Sequence, residues 1–396
     1  MSASLDRIDP VEKLDVASRR VLVRLDLDLP RGRDGALNDD AKLLAALPTL
    51  KLLIERQARV VIAGHMGRSR KPGEAPSLAP VGERLAELLV TDIVLPDECV
   101  GDGARKVVHD LRDGRVALLE NLRGHSGEEE NDEAFAMQLE RLCDAYVNEA
   151  FACSNRAWAS VDALPRRVSP RAAGLWMQRE LKALDAIARP ARPFVAVVGG
   201  ASMADKAPLL EALLPKVDAL LLGGAVAATA LAAGGRELGR TAVERERFAF
   251  ARGLLERAQA RRIPVLLPTD LRVGPSPDAE RSAPASVDGV APGQVAMDLG
   301  PETVARYRDR LVGAKTILWH GPVGAWEAGG FSEGTLGVAR AIAEAAAHSV
   351  TVGASTAQAV ERAGLAGRFA HLSTGGAASL DLILGKKLPG VEALRT

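Results

Sequence analysis

Cysteine is scarce in this chain. The three residues Cys99, Cys143 and Cys153, in a length of 396, are too few and too scattered for a disulfide framework or a four-ligand zinc site. They are expected to be reduced, buried thiols. Net charge is missing as well: 51 Lys and Arg balance 51 Asp and Glu, so no bulk field draws the chain to nucleic acid or to a membrane surface. Any anion site must therefore be local. No apolar run reaches the roughly 18 residues of a membrane-spanning helix. The opening stretch MSASLDRIDPVEKLD has neither a basic n-region nor an apolar h-region, so a cytoplasmic location is expected.

What is present is an ordinary globular composition, 47% hydrophobic and 26% charged, on a chain long enough for two domains. Strand-like runs VLVRL, ARVVIAG, DIVLP, GRVALLEN and DAYVNEAF occupy the first half, and PFVAVVGGA, ALLLGGA, PVLLPTDLRV, KTILWHGP and HSVTVGAS the second. Between them lie helical stretches such as DDAKLLAALPTLKLLIERQ and SLAPVGERLAELLV. This alternation is the pattern of βαβ units around parallel sheets, and the fold class is α/β with two doubly wound domains. A helix from Arg171 to Ala188, followed by RPARP, reads as the connector between them.

Ligands of open α/β sheets bind beyond the carboxyl ends of the strands, so the residues following each run carry the functional reading. In VLVRLDLDLP, Asp26 and Asp28 share one side and Leu25, Leu27 and Leu29 the other. Two like charges on one side call for a cationic answer. Arg68, Arg123 and Arg156 stand at strand ends in the same half and offer guanidinium forks suited to phosphate or carboxylate. The second half instead places glycines at its strand ends: Gly199-Gly200-Ala201, Gly223-Gly224-Ala225, Gly321-Pro-Val-Gly324 and Gly353-Ala354-Ser355-Thr356, with Lys206 close behind the first. Such turns let a backbone approach a ligand, and their N–H groups are expected to cradle phosphate. One half thus reads as anion-binding through arginine, the other as nucleotide-binding through backbone. Among the remaining features, His109, His125 and His348 read as isolated surface or loop residues, and Trp176 and Met177 as packing at the junction. The run Glu128-Glu129-Glu130 is expected to favour the N-terminus of the helix after it.

The ordered set RVLVRLDLDLP, GHMGRSRKP, LLENLRGHSGEEENDEAFA, YVNEAF, FVAVVGGASMADK, LLLGGAVAATAL, LLPTD, MDLGPET, WHGPVGAWE and HLSTGGAASLDLILGKKLPGVEAL resembles phosphoglycerate kinases, in register from about residue 14 onward. The resemblance implies two Rossmann-like domains facing a cleft, joined by a helix. Their expected bounds are 1–170 for an acid-binding domain, 171–190 for the helix and linker, 191–375 for a nucleotide-binding domain, and 376–396 for a tail returning to the first. It implies reversible phosphoryl transfer between ATP, with Mg2+, and 3-phosphoglycerate or a similar small acid, in a monomer. Carried over by position, Asp26, Asp28, His65, Arg68, Arg123 and Arg156 fall on the substrate side. Gly200, Ala201, Lys206, Gly224, Gly321, Pro322, Glu327, Gly353, Ser355 and Thr356 fall on the nucleotide side, with Glu327 accepting from the ribose hydroxyls. Lys42, Lys206 and Gly353 fall at the chemistry.

Six positions depart from the family pattern. Asp28 stands for an asparagine, Lys42 for an arginine, Trp158 for a histidine, Ser202 for a lysine, His320 for an asparagine and Ser355 for the aspartate that holds the nucleotide's magnesium. Three readings follow. One is a working kinase in which Asp28 or Asp270 helps hold the metal and Lys42 replaces the arginine. Another is an impaired paralogue that binds nucleotide or a phosphorylated acid as a sensor or partner protein. The third, a haloacid-dehalogenase-type phosphatase with Asp26 as nucleophile, needs a lysine and a later acidic pair for which the ordered match leaves no room.

Overall fold

The structure, a computed structural model, describes residues 5, 7–32, 37–67 and 75–395. The chain divides into two compact units, Met1–Lys182 with Lys386–Thr396, and Ala183–Gly385. Arg68 lies outside the described residues.

The first unit is built from β1 (Arg20–Arg24), α1 (Ala41–Glu55), β2 (Arg59–Ala63), α2 (Ala79–Leu89), β3 (Ile93–Val94), α3 (Asp102–Asp110), β4 (Val116–Leu118), α4 (Glu133–Glu140), β5 (Ala145–Asn148), α5 (Ala163–Arg167), β6 (Arg171–Ala173) and the start of α6 (Leu175–Ala188). Its strands form one sheet in the order β3-β4-β2-β1-β5-β6, parallel throughout. Buried on both faces, the strands read as near-continuous apolar runs. In α1, Leu43, Ala46, Leu50 and Leu53 recur at helical spacing and form its buried face, with Pro48 tolerated inside the helix. Beyond β1 the period of two continues without a ladder: Leu25, Leu27 and Leu29 are buried while Asp26 and Asp28 are only half-buried.

The connecting segment differs from its sequence reading. Arg171–Ala173 is not helical; it pairs in parallel with Tyr146–Asn148, and the helix begins only at Leu175. Glu149 explains the start. Its carboxyl accepts from Trp176 N and Met177 N, both at 3.0 Å, and from the Thr49 hydroxyl, so it caps α6. It sits directly over Gly174, where a Cβ would stand 2.1 Å from its oxygen. Burial pushes the Glu149 carboxyl up from 4.5 to about 7, against the opposing pull of these donors. A carboxyl whose folded pKa is raised contributes stability that is full below the unfolded value and is lost as pH rises through the folded one. Unfolding free energy from this group is therefore expected to fall by about 3 kcal/mol between pH 4.5 and 7, read as a falling urea midpoint. In Glu149→Gln that part of the slope disappears; an unchanged slope refutes the assignment.

The second unit comprises β7 (Phe194–Val198), α7 (Met203–Leu213), β8 (Ala219–Leu222), α8 (Gly224–Ala233), α9 (Phe248–Ala260), β9 (Val265–Leu266), β10 (Asp270–Gly274), β11 (Ala283–Ser286), β12 (Val295–Leu299), α10 (Pro301–Val312), β13 (Thr316–His320), α11 (Glu333–Glu344), β14 (His348–Val352), α12 (Ala354–Arg362), β15 (His371–Ser373) and α13 (Ala377–Ile383). Six strands form a second parallel sheet, β15-β14-β13-β7-β8-β9. The run PVLLPTDLRV is two strands rather than one. Pro268 has no N–H for a ladder, and beyond it the chain enters a separate antiparallel sheet, β11-β10-β12. That small sheet packs into the same core as Trp319 and Tyr307 through Leu271, Val273 and Leu299.

The last residues return to the first unit, where α14 (Pro389–Glu392) lies. Gly390 N donates to Ser154 O at 2.9 Å, and Asn148 Nδ2 donates back to Gly390 O at 3.3 Å. All three cysteines are free and buried, and burial pushes each thiol up to about 12. No described helix is long and apolar enough to cross a membrane.

Candidate functional site

Strand order locates the site before any side chain is considered. In each sheet the chain winds one way from its first strand and then returns to the other side of it. The switch falls between β1 and β5 in the first unit and between β7 and β13 in the second. Crevices form at the carboxyl ends of strands at such points.

In the first unit, Lys42 answers the aspartates. Its Nζ pairs with Asp26 Oδ2 at 2.8 Å and donates to Asp28 O at 2.8 Å. Asp28 Oδ1 accepts from Gly67 N at 2.9 Å, and Asp26 Oδ1 from Asp28 N at 3.2 Å. The sequence reading gave this role to arginines. Among the described residues a lysine pairs with Asp26 and a backbone N–H donates to Asp28, because α1 carries Lys42 up to the end of β1. Arg123 is engaged elsewhere: its Nε pairs with Glu129 at 2.7 Å and its Nη1 donates to Gly67 O. Arg156 is exposed and its guanidinium has no partner among the described residues.

His65 lies at the base of this half-site, buried behind β2. Arg24, a fully buried arginine in β1, donates from Nη2 to His65 Nδ1 at 3.0 Å. The imidazole proton is thereby placed on Nε2, which has no partner among the described residues. Burial first, then the charges of Arg24, Arg123 and Lys42, hold His65 down at about 2, so the ring is neutral at physiological pH. Arg24 in turn is held by Ser160 Oγ at 2.7 Å and faces Glu128 at 3.7 Å, both fully buried. Glu128 accepts from Ser160 N at 2.9 Å and from its hydroxyl at 2.5 Å. The acidic run therefore does not serve the next helix, whose N-cap is Asp132. Glu128 balances a buried arginine and Glu129 a half-buried one.

The second unit holds a cavity of about 620 Å³ at the ends of β7, β8, β13 and β14. Gly200, Ala201, Gly224, Gly321, Pro322, Glu327, Gly353, Ser355 and Thr356 all line it, and Lys206 is its one Lys or Arg among the described residues. At three of these glycines the N–H is already bound within the protein. Gly199 N donates to His320 O, Gly200 N to Pro322 O, Gly224 N to Val323 O and Ala225 N to Gly200 O, at 2.7 to 3.0 Å. These four donors are bound by neighbouring turns within the protein. A Cβ on Gly199 would stand 2.1 Å from Pro322 O, so close backbone approach is what these positions require. The helix termini divide similarly. At α7, Glu244 caps Met203 N and Ala204 N, and Ser202 Oγ accepts from Asp205 N at 3.2 Å. At α12, the N–H groups of Ala354, Ser355 and Thr356 take no acceptor among the described residues, which leaves that helix N-terminus open to an anion.

Lys206 Nζ lies 2.7 Å from His320 Nε2, while His320 Nδ1 donates to Val352 O at 2.7 Å. The ring is neutral and accepts from the ammonium. Burial and then Lys206 hold His320 down at about 4, and burial lowers Lys206. Across the cavity, Trp326 Nε1 donates to Ser355 Oγ at 3.0 Å, and Ser355 Oγ donates to Glu327 Oε1 at 3.0 Å. In the wall, Asp298 is buried with Oδ1 unpartnered, and burial pushes its carboxyl up to about 7.

A sequence model described as phosphoglycerate kinase matches residues 11–386. The chain belongs to the phosphoglycerate kinase family. It is 47% identical over 388 residues to the phosphoglycerate kinase of Anaeromyxobacter dehalogenans strain 2CP-C, covering 97% of this chain and 98% of the relative. The relative from Desulfosudis oleivorans is 43% identical over the same length, with 97% and 98% covered. Among solved structures, phosphoglycerate kinase from Coxiella burnetii superposes with a TM-score of 0.88 at 34% identity, and that from Pyrococcus horikoshii with 0.82 at 31%; each match covers 98% of both chains.

The departures from the phosphoglycerate kinase pattern have local structural roles. Asp28 receives Gly67 N, Ser202 caps α7, His320 accepts Lys206, and Ser355 bridges Trp326 to Glu327. Both carboxylate oxygens of the buried Asp270 cap α10, at Glu302 N and Thr303 N. The sequence reading missed Arg24, Glu128 and Asp298. The signal for Arg24 was available, as a charged residue in the middle of the apolar run VLVRL.

Proposed function

We propose that this chain catalyses reversible phosphoryl transfer between ATP and the carboxylate of 3-phosphoglycerate, giving 1,3-bisphosphoglycerate and ADP, as a cytoplasmic monomer. The observation that carries the proposal is Lys206, the one Lys or Arg lining the glycine-walled cavity among the described residues, placed with the open N-terminus of α12 at a topological switch point. A triphosphate is the ligand that such a place fits.

In this reading Asp26, His65, Arg68, Arg123 and Arg156 hold the acid. His65 donates from Nε2 to an anionic oxygen, and Asp26 accepts from the substrate hydroxyl. Glu327 accepts from the ribose, and Lys206 neutralises a phosphate. The attacking carboxylate oxygen displaces the nucleotide's β-phosphate oxygen at the γ-phosphorus, and Lys206 and Lys42 offset the charge that shifts between them. Magnesium, which the family resemblance brings with ATP, finds poor donors in this chain. Ser355 offers a neutral hydroxyl already committed to Glu327, and the described residues hold no cluster of three potential ligands. The donor set does not fit direct ligation there.

A second reading, an impaired paralogue that binds nucleotide or a phosphorylated acid, is favoured by Ser202 and Ser355, where the family pattern has a cation and a metal ligand. A coupled assay with ATP, Mg2+ and 3-phosphoglycerate separates the two. Turnover that vanishes in Arg68→Ala supports the kinase; nucleotide binding without turnover supports the paralogue. Restoring the pattern with Ser202→Lys and Ser355→Asp together is expected to raise kcat about tenfold or more, since one unit charge near the phosphoryl group is worth about 4 kcal/mol at an effective dielectric near 20. An unchanged rate in the double variant defeats the charge argument.

A further inference from the structure

Trp158 is the departure whose neighbours are both candidate acid-binding groups. Its indole faces the Arg123 guanidinium, with Cζ 5.2 Å from the ring centroid, and the His65 ring meets it edge-on at 4.8 Å and 83°. Away from these groups it packs on the small buried cluster of Ala150, Cys153 and Val161. Arg123 is thus held at three places, by Glu129 at Nε, by Gly67 O at Nη1 and by the indole at Cζ. Its Nη2 amino group has no partner among the described residues, and neither has His65 Nε2. His65 is in turn fixed by Arg24 at Nδ1 and by the indole at its edge.

We propose that Trp158 is a positioning residue for the anionic group of the acid substrate: its face holds the Arg123 guanidinium and its perpendicular ring contact holds His65, so that Nη2–H and Nε2–H are preset donors. Resting on the function proposed above, this assigns the role to the π face rather than to charge. A guanidinium over a partly desolvated indole is held by attraction to the ring quadrupole. Fixing the fork beforehand removes an ordering loss that binding would otherwise carry. A histidine at this position, as in the family pattern, would offer a smaller ring.

The test compares Trp158→Phe with Trp158→Leu. Both keep an apolar group on Ala150, Cys153 and Val161, and only the first keeps a face for Arg123. Measured by calorimetry on the full chain, 3-phosphoglycerate binding is expected to weaken about tenfold in Trp158→Leu and no more than about twofold in Trp158→Phe. In the coupled assay the KM for the acid follows the same order, while the KM for ATP and the melting temperature stay at the wild-type values. Equal binding by the Leu and Phe variants, or a parallel rise in both KM values with a lowered melting temperature, overturns the positioning role. If Trp158→Leu binds normally while Arg123→Ala does not, the role of Trp158 falls and the proposed function stands. A wild-type chain that neither binds nor phosphorylates 3-phosphoglycerate overturns the proposed function and the inference together.

Discussion

In Lys206→Ala, kcat is expected to fall about a thousandfold with little change in melting temperature. The side chain is half-buried, its Cε lies along Gly200, and among the described residues its ammonium hydrogen-bonds only the neutral His320. Removing it therefore leaves no ion pair broken and no buried charge exposed. For the proposed phosphoryl transfer the loss is different in kind. Among the described residues no other Lys or Arg lines the cavity, so nothing there replaces the missing charge. At about 4 Å and an effective dielectric near 20, that charge is worth about 4 kcal/mol, which is close to three decades in rate. His320→Asn is the control. An amide oxygen still accepts from the ammonium, and kcat stays within a few-fold of wild type. A Lys206→Ala variant that keeps more than a tenth of wild-type kcat removes Lys206 from the chemistry.

Arg24→Met is expected to destabilise the chain by about 3 to 5 kcal/mol, because it strands the fully buried Glu128 without its cation. For a unit of this size that corresponds to a fall in melting temperature on the order of 10 °C. Met fills a similar volume, so the effect isolates charge rather than packing. Adding Glu128→Gln is expected to restore most of the loss, since the amide keeps an acceptor for Ser160 and carries no charge. If the double variant is no more stable than Arg24→Met alone, the pair is not coupled. His65 gives a second readout. Without Arg24, its Nδ1 loses the donor that fixes the tautomer, and acid binding weakens even at temperatures where the variant is folded.

The parallel sheets were readable because both faces of each strand are buried, which writes long apolar runs into the sequence. PVLLPTDLRV shows where that signal fails. A proline inside an apolar run can end one sheet and begin another, and the antiparallel strand β11, Ala283–Ser286, is largely exposed and carries no apolar pattern at all. Arg171–Ala173 failed for a different reason: three residues of strand in front of an amphipathic helix share its composition, and only Glu149, far away in sequence, marks where the helix starts. The candidate site was readable as residue types at strand ends. Their wiring was not. That Arg123 pairs with Glu129, that Lys42 answers Asp26, and that glycine N–H groups donate to carbonyls of neighbouring turns depend on directions in space that period and spacing do not encode. Similarly, the sequence reading passes over Arg24 in its apolar run, and it assigns the counter-charge Glu128 to the next helix's N-terminus.

The return of residues 386–396 to the first unit fixes an order of events during synthesis. Asn148, Ser154 and Arg171 complete their hydrogen bonds with Gly390 and Arg395, which emerge from the ribosome only after the entire second unit. At about 5 to 20 residues per second, the first unit waits ten seconds or longer for its final pieces. Gly390 is the keyhole of that late closure: a Cβ there would stand 2.6 Å from Val161 and 2.9 Å from Ser154, so the segment packs here only because it brings no side chain at that point.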